Sequence, residues 1–276
     1  MKALPLINDG VCAEERTPIA MTKDQNVLAH CNLFGVFGAI PELLRIDGEA
    51  RALVEKHTVS IGFAIKNGPS ATLFFQNGAA ELREGCKKCG IKLYFSSCKK
   101  FNDMIDGVGN PLPVSGFHRI GFLLKVFTKL TDILSAYLRP TPEQLQEPEF
   151  LIRSTKLMLH VIAGAVTQVA NVDPVGRFSA SNIVDGDIRL SIGDEQNGGT
   201  AIAVRAEAHR LAVLPEAPEQ SFSEMRFADY ETARALFDGK INAVAAVGSG
   251  QVRVFGMISQ IDNVNRILDR VSLYLA

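Results

Sequence analysis

One pattern runs through this chain of 276 residues twice. Ile105–Phe122 reads IDGVGNPLPVSGFHRIGF, and Phe237–Gly256 reads FDGKINAVAAVGSGQVRVFG. Each holds Asp-Gly, an Asn three residues past the Gly, then Ser-Gly-x-x-Arg with an aliphatic residue and a Gly. Upstream, an apolar segment carries His30 in the first copy and His160 in the second. Solenoid repeats recur every ~20–50 residues. A period near half the chain predicts two copies of one compact domain.

Periodicity fills in the domains. Residues 1–20 have no pattern and read as an extended arm. Thr22-Lys-Asp-Gln25 resembles a capping box, followed by an apolar helix over Asn26–Phe37 that Gly35, Gly38 and Pro41 interrupt, then a short helix over Pro41–Val54. From Thr58 apolar residues alternate. Asn67-Gly68 and Asn77-Gly78 separate three strands, because a type I′ hairpin turn needs positive φ at both central positions. A strand at Ile91–Phe95, a helix at Lys99–Ile105, a strand near Phe117–Phe122 and an amphipathic helix close copy one, residues 21–138. Three Pro and three Glu make 139–149 a linker. Copy two, 150–276, repeats the order, from an apolar helix near Ser154–Ala170 to strands that include His209–Leu214 and Gln251–Met257. The fold class is α+β: two similar domains, each a mainly antiparallel five-stranded sheet packed against helices.

This order resembles the sterol carrier protein (lipid-transfer) family. Leu236–Met257 carries the likeness best, and Met104–Leu123 carries it in copy one. The resemblance implies a curved sheet and helices around an apolar tunnel for a fatty acyl chain or sterol. Copy one departs from the family pattern: Gly109 replaces a basic residue, and Pro111 and Pro113 disrupt the short helix expected there.

Composition limits the chemistry. Lys+Arg of 29 against Asp+Glu of 30 leaves no overall basic excess, so nucleic acid is not an expected partner. Leu157–Val172, the most apolar stretch, falls short of the ~20 residues of a membrane span, so no stable membrane insertion is expected. Five cysteines cannot all pair within the chain, and no signal-like segment opens it; both favour a reducing cytoplasm. No nucleophile elbow, zinc-protease helix or phosphate loop occurs, so an enzyme is not expected.

Two features remain. Gly85-Cys86-Lys-Lys-Cys89-Gly90 is half of a zinc or iron–sulfur site, or a thiol-redox pair, with Lys87 and Lys88 placed to lower the thiol pKa. Cys12, Cys31, Cys98 and His118 are the candidates for further ligands. Copy one is also crowded with phenylalanine. Phe74, Phe95, Phe101, Ile105, Phe117, Phe122 and Phe127 are the candidate lining of a lipid cavity; ordinary core packing accounts for the same side chains. Arg119 and Arg253 repeat, either to meet a carboxylate or as solvent-facing strand residues. His30 and His160 read as core-edge histidines bonded to backbone. The leading expectation is a non-catalytic carrier of an apolar small molecule, with a metal or thiol-redox accessory protein and a ligand-free scaffold as alternatives. A homodimer is compatible with each.

Overall fold

A computed structural model describes residues 23–275 except 110, 112, 196 and 197, so the expected N-terminal arm lies outside the described residues. Copy one comprises α1 (Gln25–His30), α2 (Ile40–Ile46), α3 (Gly48–Val54), β1 (Val59–Ile65), β2 (Ser70–Gln76), β3 (Ala79–Glu84), β4 (Ile91–Phe95), α4 (Cys98–Ile105), β5 (Pro113–Ser115), α5 (Ile120–Phe122) and α6 (Thr128–Leu138). Copy two comprises α7 (Pro148–Val172), α8 (Pro174–Ala180), β6 (Gly186–Ile192), β7 (Thr200–Glu207), β8 (Arg210–Val213), β9 (Ser223–Phe227), α9 (Tyr230–Phe237), α10 (Ala243–Gly248), β10 (Val252–Gly256) and α11 (Ile258–Leu275).

The sheets have one topology. Their strand orders are β3-β2-β1-β4-β5 and β8-β7-β6-β9-β10. Within each, the first strand pairs parallel with the fourth, and the other pairings are antiparallel. Ile65 faces Phe95 in the parallel ladder of copy one, and Ile192 faces Phe227 in that of copy two. The duplication therefore holds in strand order and in the parallel register. The α+β class and the five-stranded sheets stand, with one parallel pair in each.

Several local expectations change. Asp24 caps α1, accepting hydrogen bonds from the Asn26 and Val27 amides, while Thr22 of the expected capping box lies outside the described residues. The first helix is not interrupted at Gly35 and Gly38: a π turn (Cys31–Val36) and a 3-10 turn (Phe37–Ala39) carry it into α2. Gly35 serves a helix crossing. A Cβ there would lie 3.1 Å from the Val161 carbonyl oxygen, and one on Gly164 would lie 2.9 Å from the Gly35 Cα. Pro41 falls in the first turn of α2, where a missing N–H costs little. In copy two, α7 begins at Pro148, inside the expected linker, because Pro suits a first helical position. His209 belongs to a turn with φ of 63°, not to a strand.

The strand expected at Phe117–Phe122 is helical, and the last strand of copy one is β5. The pattern needed a different alignment. Gly116 (φ 83°) and Gly256 (φ 80°) both end the last strand. In each, a Cβ would collide with the backbone at the start of the fourth strand, Gly90–Ile91 or Phe222–Ser223. Gly116 thus matches Gly256 rather than Gly250, and copy one lacks a counterpart of α10 among the described residues.

The two cores interlock. Val27 and Cys31 from the first helix join the core of copy two, while Leu157 and Val161 from α7 join that of copy one. Leu157 stands to Val27, and Val161 to Cys31, as His160 stands to His30. The exchange is therefore reciprocal about the Gly35–Gly164 crossing. The helical run Gln25–Ile46 and α7 are long and apolar enough to cross a bilayer, unlike the shorter stretch judged from sequence. About two thirds of the first and over half of the second is buried within the protein.

Candidate functional site

Matched positions give the two interiors different volumes. Phe63 of β1, Phe75 of β2 and Phe101 of α4 are fully buried in copy one. Strand register and helix caps align them with Leu190, Ala206 and Ala233. The copy-one rings pack on one another, with centroids 5.1 Å apart for Phe37–Phe63, 5.8 Å for Phe37–Phe127 and 5.2 Å for Phe95–Phe101. Such tilted and edge-on pairs are the preferred aromatic arrangements.

Copy two holds a cavity of about 860 Å³. Its inner wall is Leu159 and Ile162 of α7, Leu190 of β6 and Met225 and Phe227 of β9. Leu236, Phe237 and Ile241 form one side, and Leu268, Val271 and Leu275 of α11 the other. Val244 and Val247 of α10 complete the lining. This size suits a small-molecule site, and the lining is mostly aliphatic.

The mouth is polar but charge-balanced. Lys240 bonds Asp238 at 3.0 Å, and Arg266 bonds Asp262 at 3.2 Å. Each cation already holds a carboxylate, so the rim offers no bare cation to an anionic ligand, while Asp269 adds a carboxylate. Asn265 and Ser272 add neutral polar groups.

The short helix α10 is thinly anchored. Asn242 caps it by accepting from the Ala245 amide at 3.1 Å. Ala246 is its one buried residue, whereas Val244 is 81% exposed and Val247 46% exposed. Few buried contacts mean low local stability for this segment.

The residues expected to line a site in copy one have mixed placements. Phe95, Phe101, Phe122 and Phe127 are buried in the ring cluster, and Ile105 packs at its edge. Phe74 lies on the opposite sheet face under the Arg83 guanidinium, 5.0 Å from its ring centroid. Phe117 is 62% exposed and faces no interior. Arg119 lies in a 3-10 turn and Arg253 on β10, and both are exposed. Neither reaches the copy-two cavity lining.

Cys86 and Cys89 do meet, with sulfurs 3.6 Å apart, over Gly62 on the outer face of the first sheet. Among the described residues no three His, Cys, Asp or Glu side chains converge as a metal site. Cys31 and Cys98 are buried in other elements, His118 is exposed, and Cys12 lies outside the described residues. The lysines do not lower the Cys86 thiol as expected. Burial first, then hydrogen bonding and charge from Cys89, push the Cys86 thiol up to about 11. His30 and His160 each bring Nδ1 to the carbonyl four residues back, at 2.8 and 3.0 Å, and His160 Nε2 also lies 3.8 Å from the buried Glu42 carboxylate.

A second repeated constellation escaped the sequence reading. The Tyr137 hydroxyl donates to Asp47 at 2.7 Å, and that of Tyr274 donates to Asp173 at 2.7 Å. Each Asp also caps the helix after the first long helix of its copy. The signal was present as Ser135-Ala-Tyr-Leu138 and Ser272-Leu-Tyr-Leu275.

No family profile matches the chain, and no curated protein does. Solved sterol carrier protein 2 domains are structurally similar to about two fifths of it. The sterol carrier protein domain 2 of Helicoverpa armigera is 13% identical over 41% of this chain and 87% of its own, with a TM-score of 0.34. The apo form of sterol carrier protein 2 from Yarrowia lipolytica is 16% identical over 41% of this chain and 91% of its own, with a TM-score of 0.30. A "possibly sterol carrier" protein from Thermus thermophilus is 16% identical over 42% of this chain and 86% of its own, with a TM-score of 0.32.

Proposed function

We propose that the protein binds and carries an apolar small molecule, such as a fatty acyl chain, in the copy-two cavity. It acts by binding and not by catalysis. The observation that carries this reading is the half-open, mostly aliphatic pocket of about 860 Å³ lined by β9, α10 and α11. Burying an acyl chain there is worth about 0.8 kcal/mol per methylene, without help from an ion pair. With both rim cations paired, the rim favours a ligand whose polar end stays in water. Copy one braces the crossed helices with its phenylalanine core.

A fluorescent fatty acid titrated into purified protein tests the reading. Saturable uptake is expected, competed by unlabelled fatty acid. Leu236→Trp places an indole in the cavity wall and is expected to reduce affinity at least about tenfold, the equivalent of roughly 1.4 kcal/mol. No uptake by the parent protein, or equal uptake by the folded variant, contradicts the proposal.

A further inference from the structure

The near-equality of Lys+Arg and Asp+Glu conceals a local asymmetry. Between Asp106 and Asp132 the chain has no carboxylate side chain, but it has His118, Arg119, Lys125 and Lys129. Between Glu84 and Asp103 it again has none, with Lys87 and Lys88 exposed at a loop tip. The structure joins these stretches: the Arg119 side chain lies over Gly90, where a Cβ would come within 2.7 Å of its Nη1. Of the four carboxylates that border these stretches, Asp103 pairs with Lys99 at 2.7 Å and Asp106 with Arg139 at 3.7 Å, while Glu84 and Asp132 are exposed.

The same surface is apolar. Helical residues from Phe117 lead into α6 through a π turn at Leu123–Phe127. Phe122, Leu123 and Phe127 are buried. Phe117 (62% exposed), Ile120 (40%) and Leu124 (67%) recur at helical spacing on the outward side, with Val114 (52%) in the strand that leads in. Single exposed apolar residues are ordinary, but a contiguous set marks an interaction site. An apolar ridge flanked by cations is the signature of a helix lying in a membrane interface.

We infer that the start of the last copy-one helix, with the Lys87–Lys88 loop beside it, docks the protein on an anionic phospholipid bilayer. Phe117, Ile120 and Leu124 enter the headgroup–acyl boundary, while Arg119, Lys125 and Lys129 meet lipid phosphates. Charge complementarity selects an anionic surface, and the ridge requires hydrocarbon, which nucleic acid does not offer. This differs from stable insertion of the two long apolar helices, more than half of each of which is buried within the protein.

The chain has no tryptophan, so Phe117→Trp supplies a single reporter. Its emission is expected to shift to the blue with vesicles of phosphatidylcholine containing about one third phosphatidylglycerol, and not with phosphatidylcholine alone. Adding Lys125→Ala and Lys129→Ala should weaken vesicle binding about 25-fold, about fivefold for each cation. High salt should weaken it as well. These exposed changes should leave fatty acid uptake by copy two intact, so failure here is separable from failure of the carrier reading. No shift on anionic vesicles overturns the inference, as does a salt-independent shift equal on both vesicle types. A shift seen instead with Phe178→Trp, which reports on an exposed phenylalanine of copy two, overturns it too.

Discussion

Asp47 and Asp173 are almost fully buried, and each depends on the tyrosine one domain length away. The copies satisfy the carboxylates differently. Asp47 Oδ2 receives Tyr137, whereas Asp173 Oδ2 receives both Tyr274 and Arg270, the latter at 2.7 Å. Leaving a buried acceptor unmet costs ~1–3 kcal/mol. Tyr137→Phe should therefore destabilise by about 2 kcal/mol and Tyr274→Phe by about 1 kcal/mol in urea unfolding. Burial works to raise the Asp173 pKa, but bonds from Arg270, Tyr274 and the Gly176 amide outweigh it and hold the carboxyl below its usual 3.8. With the folded value depressed, this stabilisation is full above pH 3.8 and is lost as pH falls through the folded value. Asp173→Asn should flatten that acid limb in unfolding midpoints measured against pH. At Cys86, alkylation followed by mass spectrometry should keep accelerating towards pH 11, in line with its raised pKa; a plateau near neutrality would contradict the burial argument.

Elements with a strong local signal were legible in the sequence. Asn77-Gly78, with φ of 53° and 75°, forms the expected tight turn, and the terminal amphipathic helices sit where their apolar steps predict. Elements set by long-range packing were not. Nothing local tells that Gly35 meets Gly164, so a glycine at a crossing reads as a helix break. Likewise, Ser115-Gly116 resembles Ser249-Gly250, and only the strand ladder shows that Gly116 does the work of Gly256. Of the candidate site, the sequence resemblance implied the short apolar helix α10. In copy one the buried phenylalanine rings pack on one another, and the pocket lies in copy two. Asn242→Ala tests the role of α10. Losing the cap should cost that helix about 1 kcal/mol and speed ligand release several-fold. Global unfolding should hardly change, because Ala246 is the one buried residue of α10. Stopped-flow release and urea unfolding read the two effects.

At the scale of the molecule, the copies form one interlocked body with different interiors. Val27 and Cys31 on one side, and Leu157 and Val161 on the other, make each core depend on its neighbour's helix. Gly164→Val would press a branched side chain onto the Phe34 carbonyl, 2.8 Å from the Cβ position. Overpacking of this kind costs ~1–3 kcal/mol, and calorimetry should show one transition moving to lower temperature, not one copy melting alone. The duplication was legible from repeated residues. The division between a filled copy and an open one was not, because it rests on volumes compared across aligned strands. Native mass spectrometry after incubation with a fatty acid addresses that division most directly. One bound acyl chain per protein chain is predicted, lost in folded Leu236→Trp. Two bound chains, none, or an unchanged load in Leu236→Trp would contradict a single apolar site in copy two.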